Sequence, residues 1–359
     1  MKSNRLHIAF HVFLCYITNI RSKHYMTIKE IAKLAGVSTA TVSRALNGQP
    51  GVLPEKQQYI LQLAKDLNYQ PNVLAKGLSS KKSYTLGVAI SDITNPFYGE
   101  IVRGIEEIAT PHDYTTVLFS TDYDIDKERR ALNFLQSGRI DGLIASVSNY
   151  VVDECVSLEQ SGLPLVLLGH MHNEAKCGKV GCNNVSSAYQ ATEYLIKKGH
   201  KNIAHVAGHR RTKTGMQRLE GFRSAMANYD LPVPPENIIY TDYLEVDAYE
   251  KVLAYLKTKP GITAMFVAND YLAIGCYKAI EEMGLKIPDD ISVIGHDDIY
   301  LSTILNPELT TMHQQPRKVG RLASQLIFEE IEKTRNEEKM LIVPTELVER
   351  ASVRDLNLK

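Results

Sequence analysis

The sequence predicts an α/β protein in which a head of three helices, arranged as a helix-turn-helix, precedes a core of two lobes with doubly wound parallel sheets. Three short amphipathic helical patterns come first, and from residue 84 onward short apolar runs alternate with amphipathic helices. Charge divides in the same way: residues 1–82 contain 12 Lys and Arg against 3 Asp and Glu, whereas the remaining residues contain 29 against 38. A basic end on an acidic body favours contact with a polyanion, the alternative being an ordinary solvated surface.

The first and third helices have clear start and stop signals. In TIKEIAKLAG, Thr27 and Glu30 have the spacing of a capping box, and Gly36 follows the last apolar position. The third helix begins at Pro54, a favoured first-turn residue, and Pro71 ends it. The apolar residues at helical spacing are Ile28, Ile31 and Leu34 in the first helix and Ile60, Leu63, Ala64 and Leu67 in the third.

The second helix, within AGVSTATVSRALNG (residues 35–48), has an outer face with a single charge. Ser38 is a good N-cap, and the inward stripe consists of Val42, Ala45 and Leu46. The outer face carries small or hydroxyl side chains and one arginine: Thr39, Ala40, Ser43, Arg44 and Asn47. A helix that enters a major groove needs this distribution, because small residues allow close approach and arginine can bind guanine O6 and N7. A plain helical hairpin would not account for it.

A basic segment, PNVLAKGLSSKKS (71–83), follows the head and is predicted to be a linker able to form one or two turns. Beyond it, the apolar runs predict strands at 85–90, 115–121, 141–146, 164–169, 202–208, 264–270 and 291–298. Near-continuous Val, Ile and Leu runs that alternate with helices are typical of parallel sheets covered on both faces. Two sets of such units predict two lobes with a crevice between them at the carboxyl ends of the strands.

Several classes of protein are disfavoured by the sequence. Motifs for a nucleophile elbow, a phosphate-binding loop or a dinucleotide site are absent, so neither an enzyme nor a cofactor is predicted. No apolar run approaches the ~20 residues that cross a bilayer. A metal site is also not expected, because the four candidate ligands are loosely spaced: His170, His172, Cys177 and Cys182. Residues 1–25 are predicted to be a non-native or disordered extension, with translation starting at Met26 rather than Met1.

The helical segment TIKEIAKLAGVSTATVSRALNG, with the later YQPNVLAKGL, resembles the start of the lactose-repressor (LacI/GalR) family of bacterial transcription regulators. The resemblance extends from Met26 to Asp355 and includes SDITNPFYGEIVRGIEE (91–107), QRLEGFRSAM (217–226), FVANDYLAIG (266–275), SVIGHDDI (292–299) and LNPELTTMHQ (305–314). It implies a helix-turn-helix head (26–71), a hinge helix (72–83) and a two-lobed, periplasmic-binding-protein-like domain for effector binding and dimerisation (84–359).

The resemblance also implies roles in DNA binding. Thr39, Ala40 and Arg44 match the base-reading positions of the recognition helix, and Leu78 matches the hinge leucine that enters the minor groove, where an apolar wedge unstacks a base step. Simple packing of the linker is the alternative for Leu78. Contacts to the DNA backbone are expected from four further residues: Ser38, Ser43, Asn47 and Lys76.

By the same resemblance, the effector is expected to contact Asp92, Phe97, Arg218, Asn269 and Asp297. This set suits a polyol, because carboxylates, an amide and a guanidinium exchange hydrogen bonds with hydroxyls while an aromatic ring covers the apolar face of a sugar. The loop HRRTKTG (209–215) suggests an anionic effector such as a sugar phosphate or sugar acid, unless it is merely solvated. His296, beside Asp297, suggests a polar and pH-sensitive wall.

The predicted protein is therefore a cytoplasmic homodimer that binds a pseudo-palindromic operator, represses a carbohydrate-utilisation operon and responds to a small sugar-like effector. The short tail ERASVRDLNLK lacks the heptads that a tetramerising coiled coil would need. Two alternatives stay open: control by a protein corepressor, and a sugar-binding protein without DNA activity. Release of DNA and tighter binding of DNA are both compatible with an effector in the crevice.

Overall fold

The computed structural model describes residues 26–46, 48–69, 82–169, 176–210, 212–258, 261–334 and 339–358. The chain divides into two compact units, Met1–Lys81 and Lys82–Lys359. The predictions for residues 1–25, for the hinge helix up to residue 81 and for Asn47, Lys76 and Leu78 concern residues outside the described ranges.

The first unit contains helices α1 (Ile28–Ala35), α2 (Thr39–Leu46) and α3 (Pro54–Asp66). The predicted capping box is present: the Thr27 hydroxyl accepts the Glu30 amide and the Glu30 carboxylate accepts the Thr27 amide. Gly36 ends α1 in the left-handed conformation at φ 65°, which suits a residue without a Cβ. The three helices pack around a small core that includes the fully buried Ile31, Val42 and Ile60.

The second unit alternates strands and helices. The strands are β1 (Thr85–Ile90), β2 (Thr115–Ser120), β3 (Gly142–Ala145), β4 (Leu165–Leu168), β5 (Gly178–Gly181), β6 (Ile203–Ala207), β7 (Ile238–Tyr240), β8 (Ala264–Val267), β9 (Ser292–Ile294), β10 (Thr311–His313), β11 (Met340–Ile342) and β12 (Glu346–Val348). The helices are α4 (Pro96–Ala109), α5 (Ile125–Gln136), α6 (Val152–Gln160), α7 (Asn184–Lys197), α8 (Lys213–Asn228), α9 (Glu245–Lys257), α10 (Asp270–Glu282) and α11 (Pro316–Ile331). Each of the seven predicted runs contains a strand.

The first lobe is a parallel sheet in the order β11-β5-β4-β3-β1-β2. Its inner strands are covered on both faces, whereas the edge strand β2 is largely exposed. Alternate residues of a strand point to opposite faces, so Val88 packs in the core under α4 and α11 while its neighbour Ala89 packs in the core under α5 and α6. α4 and α11 approach closely because both have a glycine at the contact, Gly104 and Gly320. The doubly wound arrangement predicted from the apolar runs is confirmed.

The second lobe is a parallel sheet in the order β7-β6-β8-β9, and β10 and β12 form an antiparallel pair beside it. α9 and α10 cover one face, and α7 and α8 cover the other. The chain passes from the first lobe to the second between β5 and α7, returns between β10 and α11, and passes again between β11 and β12. Both lobes are therefore completed by C-terminal segments.

Candidate functional site: a cleft between the lobes

A cleft lies between the two lobes and encloses about 880 Å³, part of which is open to solvent. Part of its lining comes from the segments that follow the strands, such as Ser91 after β1, Ser146 after β3 and Asn269 after β8. This is the edge at which open α/β sheets bind ligands, because the loops there are free to vary above a rigid sheet. The crevice predicted from the strand pattern is present.

Four of the five predicted effector residues line the cleft: Phe97, Arg218, Asn269 and Asp297. Phe97 is in the first turn of α4, where Asn95 caps the helix by accepting the Phe97 amide at 3.0 Å. Asn269 caps α10 by accepting the Leu272 amide at 2.8 Å. Helix starts therefore hold both side chains at the edge of the cleft.

The charged centre of the cleft is Arg218. Its guanidinium lies 3.5 Å from the Asp297 carboxylate (Nη2 to Oδ1), and both side chains are only 5% exposed. Nε donates to Asn184 Oδ1 at 3.0 Å, and Nη1 donates to the Ala268 carbonyl. The guanidinium is thus fixed from three sides, which keeps it ready to contact a ligand without rearrangement.

Asp297 has a backbone conformation that is rare for a residue with a side chain, at φ 122°. Its carboxylate accepts hydrogen bonds from the Gln314 amide and from His296 Nδ1, the latter at 3.1 Å. Burial raises the pKa of Asp297 to about 6, although Arg218 and the Gln314 hydrogen bond oppose this shift. Strained backbone of this kind persists only where surrounding contacts enforce it, and it is concentrated at functional sites.

A second buried acid, Asp270, lies behind Asp297. It accepts the Thr311 hydroxyl at 2.6 Å and the Ile299 amide at 3.0 Å. Burial, reinforced by repulsion from Asp297, raises the pKa of Asp270 to about 7. Asp270 is not among the residues that line the cleft. Its hydrogen bonds instead hold Thr311 and the backbone of Ile299 in place behind the lining residues.

Asp92 is buried and is not among the residues that line the cleft, so its predicted contact with the effector stays a prediction. One of its oxygens accepts the Thr94 amide and the Thr94 hydroxyl at 2.8 and 2.7 Å, which fixes the turn before α4. Its other oxygen has no hydrogen-bond partner among the described residues. In the structure, Asp92 shapes the loop that carries Phe97.

His296 does not form a wall of the cleft. Its side chain is fully buried, with Nε2 2.7 Å from the Ser187 hydroxyl and Nδ1 facing Asp297. Burial, with the nearby positive charge of Arg218, lowers the pKa of His296 well below its usual range. The expectation of a pH-sensitive histidine was wrong, because a neutral imidazole bridges Ser187 and Asp297 instead.

Sequence reasoning missed several residues of the cleft. Glu128, on α5, is buried at the cleft and accepts the Ser148 amide and hydroxyl at 3.1 and 2.6 Å. Burial raises the pKa of Glu128. Three tyrosines and a glutamine also line the cleft: Tyr98, Tyr123, Tyr243 and Gln314. Of these five residues, two had a sequence signal that could have found them. Tyr98 lies within SDITNPFYGEIVRGIEE (91–107), and Gln314 ends LNPELTTMHQ (305–314).

The loop 209–215 contributes less positive charge to the cleft than its sequence suggests. Arg210 stacks over the Tyr240 ring at 3.7 Å, and it is not among the cleft-lining residues. Lys213 does line the cleft, together with Thr212 and Thr214, and Arg211 lies outside the described residues. The charged side chains that line the cleft are thus two basic, Lys213 and Arg218, and two acidic, Glu128 and Asp297.

Two buried histidines of the second lobe, His200 and His205, are parts of its core. His200 contacts Thr263 Oγ1 at 2.9 Å, and His205 lies between Phe222 and Phe266. In the part of the chain that the structure describes, no three His, Cys, Asp or Glu side chains are placed to hold a metal ion, and His170 and His172 fall outside that part. None of the described helices is long and apolar enough to cross a membrane.

The recognition face predicted for α2 is exposed in the first unit. Thr39, Ala40 and Arg44 are exposed, Ser43 is half-buried, and Val42 and Ala45 point into the core. Ser38 caps the helix as predicted, because its hydroxyl accepts the Thr41 amide at 3.1 Å. The exposed start of this helix thus presents small side chains and one guanidinium, the distribution that major-groove reading requires.

Comparison with known proteins agrees with this geometry. Residues 27–72 match the family described as bacterial regulatory proteins, lacI family, and residues 192–353 match a periplasmic binding protein-like domain. The HTH-type transcriptional repressor PurR of Photobacterium profundum is 36% identical over 332 residues, which cover 92% of this chain and 99% of that protein. The chain belongs to the LacI family.

Other LacI-family proteins are similar over the same length. The ribose operon repressor of Halalkalibacterium halodurans is 37% identical over 329 residues, covering 91% of this chain and 97% of that protein. The structure of the lac repressor dimer bound to operator and the anti-inducer ONPF matches with a TM-score of 0.83 and 26% identity, covering 92% of this chain and 100% of that one. The chain is a helix-turn-helix transcriptional regulator of this family, and its predicted fold is confirmed.

Proposed function

We propose that this regulator represses a carbohydrate-utilisation operon and that a small neutral sugar in the cleft controls its affinity for the operator. One observation carries the proposal: a buried, pre-oriented Arg218–Asp297 pair lies in a cleft that aromatic rings also line. Such a site offers donors and acceptors to ring hydroxyls and a flat apolar surface to the ring itself.

A neutral sugar is favoured over a sugar phosphate or sugar acid by the charges of the cleft. Arg218 and Lys213 are matched by Asp297 and Glu128, so an anion would gain little net attraction. Arg210, which could have added positive charge, is engaged with Tyr240 instead. Because a curated relative is a ribose operon repressor, D-ribose is the first probe.

In its DNA-bound form the regulator is a homodimer, with one α2 helix in the major groove of each half of a pseudo-palindromic operator. Thr39, Ala40 and Arg44 read bases, and Ser38 and Ser43 contact the backbone. Support comes from the exposure of these side chains and from the lac repressor, which is described as a dimer bound to operator. Asn47, Lys76 and Leu78 are assigned their DNA contacts from sequence alone.

The regulator acts in the cytoplasm by shifting populations and not by catalysis. An effector can change the affinity for DNA only through its different affinities for the DNA-competent and the DNA-incompetent states. Asp297 is suited to couple the cleft to the lobe crossings, because it contacts both Arg218 in the cleft and Gln314 beside the return to the first lobe.

A thermal-shift panel tests the effector class. The panel contains D-ribose, other pentoses and hexoses, their phosphates and the corresponding sugar acids. A ligand at about 100 times its Kd should add about 2.7 kcal/mol to the free energy of unfolding, and the gain should disappear in Asp297→Asn. Stabilisation by a phosphate but not by its parent sugar would overturn the neutral-sugar proposal, and a silent panel would overturn the sugar class.

A further inference from the structure

One residue of the first lobe packs into the core of the second. Tyr123 follows β2 and precedes α5, so the chain places it in the first lobe. Its ring nevertheless packs against the apolar cluster under α9 and α10 in the second lobe. There it stacks on Tyr243, with ring centroids 5.3 Å apart and an interplanar angle of 18°. Both tyrosines line the cleft.

The backbone of the first lobe directs Tyr123 outward. Asp122 and Tyr123 both have positive φ, at 50° and 58°, which is unfavourable for residues with a Cβ. The turn is held by Asp122, which pairs with Lys127 and accepts the Ser120 hydroxyl at 2.8 Å. Two neighbouring residues in a rare conformation, fixed by their own lobe, indicate that the position of the Tyr123 ring is enforced.

In the second lobe, two glycines leave the space that the Tyr243 ring occupies. A Cβ on Gly208 would lie 2.0 Å from Cζ of Tyr243, and a Cβ on Gly215 would lie 3.1 Å from its hydroxyl. Tyr243 itself has a positive φ of 63°. His209 adds a third ring, parallel to Tyr123 within 5° at a centroid distance of 6.3 Å. The backbone turn at Tyr123 in the first lobe and the glycines around Tyr243 in the second lobe therefore both position rings for one stack between the lobes.

We propose that Tyr123 is a positioning residue for the cleft: by stacking on Tyr243 it links the two lobes at the effector site and limits opening in the absence of effector. The purpose of this link rests on the effector function proposed above. The link itself involves neither effector nor DNA, so its test and that of the proposed function can fail separately.

The expected effect follows from the strength of an aromatic pair. Such pairs stabilise a contact enough to change a two-state ratio by roughly twofold to tenfold. Removing the Tyr123 ring should raise the open fraction by that factor. Phenylalanine should preserve it, since the stack depends on the ring and not on the hydroxyl.

Hydrogen–deuterium exchange on the full chain, without ligand or DNA, tests the link. In Tyr123→Ala, the second-lobe amides of Thr212, Gly215 and Met216 should exchange about twofold to tenfold faster, although the substitution is in the first lobe. Tyr123→Phe should behave as wild type. Tyr229→Ala serves as the control, because Tyr229 is a surface residue of the second lobe that does not line the cleft.

Gly208→Ala disrupts the same stack from the opposite lobe by displacing the Tyr243 ring, and it should raise exchange at Ser148 in the first lobe. Gly208→Ala leaves the turn at Tyr123 unchanged, so the test remains interpretable even if Tyr123→Ala loosens that turn. When combined, the two substitutions should have less than additive effects, because the second finds the stack already broken. Unchanged exchange across the lobes, additive effects, or equal acceleration by Tyr123→Phe would each overturn the proposal.

Discussion

Arg218 and Asp297 form a buried ion pair at the cleft, with Nη2 of the arginine 3.5 Å from Oδ1 of the aspartate. Both groups are already removed from bulk water, and other polar groups hold them in place. The pair therefore acts as a fixed feature of the site, and removing either partner leaves a charge that the protein interior stabilises poorly.

Arg218→Ala should lower the free energy of unfolding by about 3–5 kcal/mol at pH 8, because it leaves the Asp297 carboxylate buried without its cation. The loss should be smaller at pH 5.5, where Asp297, whose pKa is raised to about 6, takes up a proton. Urea unfolding followed by circular dichroism measures both values. Arg223→Ala is the matched control, since Arg223 is an exposed arginine on the same helix. Equal losses in the two variants would contradict the prediction.

Asp270 should make the protein less stable as the pH rises. Its pKa is about 7 in the folded state and near 3.8 when unfolded, so its stabilising contribution is complete below about pH 4 and is lost as the pH passes through 7. Asp270→Asn removes this titration. The free energy of unfolding of the variant minus that of wild type should therefore rise between pH 5 and pH 8, by on the order of 2 kcal/mol. A difference independent of pH would show that Asp270 is not the responsible group.

Two glycines of α4 should respond oppositely to alanine. A Cβ on Gly104 would lie 2.1 Å from the Arg317 carbonyl oxygen, so Gly104→Ala must push α4 away from α11 and should destabilise the protein by about 1–3 kcal/mol. Nothing lies within 4 Å of a Cβ on Gly99, so Gly99→Ala should stabilise the helix by roughly 0.5–1 kcal/mol. Thermal unfolding of the two variants checks the contrast, and a Gly104→Ala protein as stable as wild type would disprove the close packing.

Arg44→Ala should weaken binding to the best operator by about 1–3 kcal/mol and relax the preference at one guanine. The operator is first selected from random duplexes, and affinities are then measured by gel shift at fixed salt. Lys65→Ala removes an exposed charge from α3, outside the recognition helix, and should affect all sequences alike. If Arg44→Ala also weakens all sequences equally, Arg44 contacts phosphate and not a base.

The secondary structure was largely predictable because the burial of one or both faces of a helix or strand sets the spacing of apolar residues along the sequence. β1 is an unbroken apolar run because both faces of its sheet are covered, as Val88 and Ala89 show. Strands such as β7 and β12 are three residues long and too short to leave such a pattern. Their positions are set by their partners across the sheet, which sequence periodicity does not reveal.

The cleft was predictable only where a residue lies within a recognisable motif. Phe97, Arg218, Asn269 and Asp297 were found in this way, and all four line the cleft. Tyr123 had no such signal, because its role depends on a backbone turn that aims it at the other lobe. His296 was misjudged for a related reason: sequence proximity to the site does not say toward which side a side chain points.

The crossings of the chain between the lobes have a consequence for synthesis. α11 and β11, which complete the first lobe, are translated after β10 of the second. A nascent chain that has emerged only as far as β10 therefore still exposes the apolar surface of α4 and the sheet that α11 will cover. The sheet of the second lobe is already available by then, so on the ribosome the lobe that begins later can assemble its sheet first. We expect the first lobe to be the later of the two to mature.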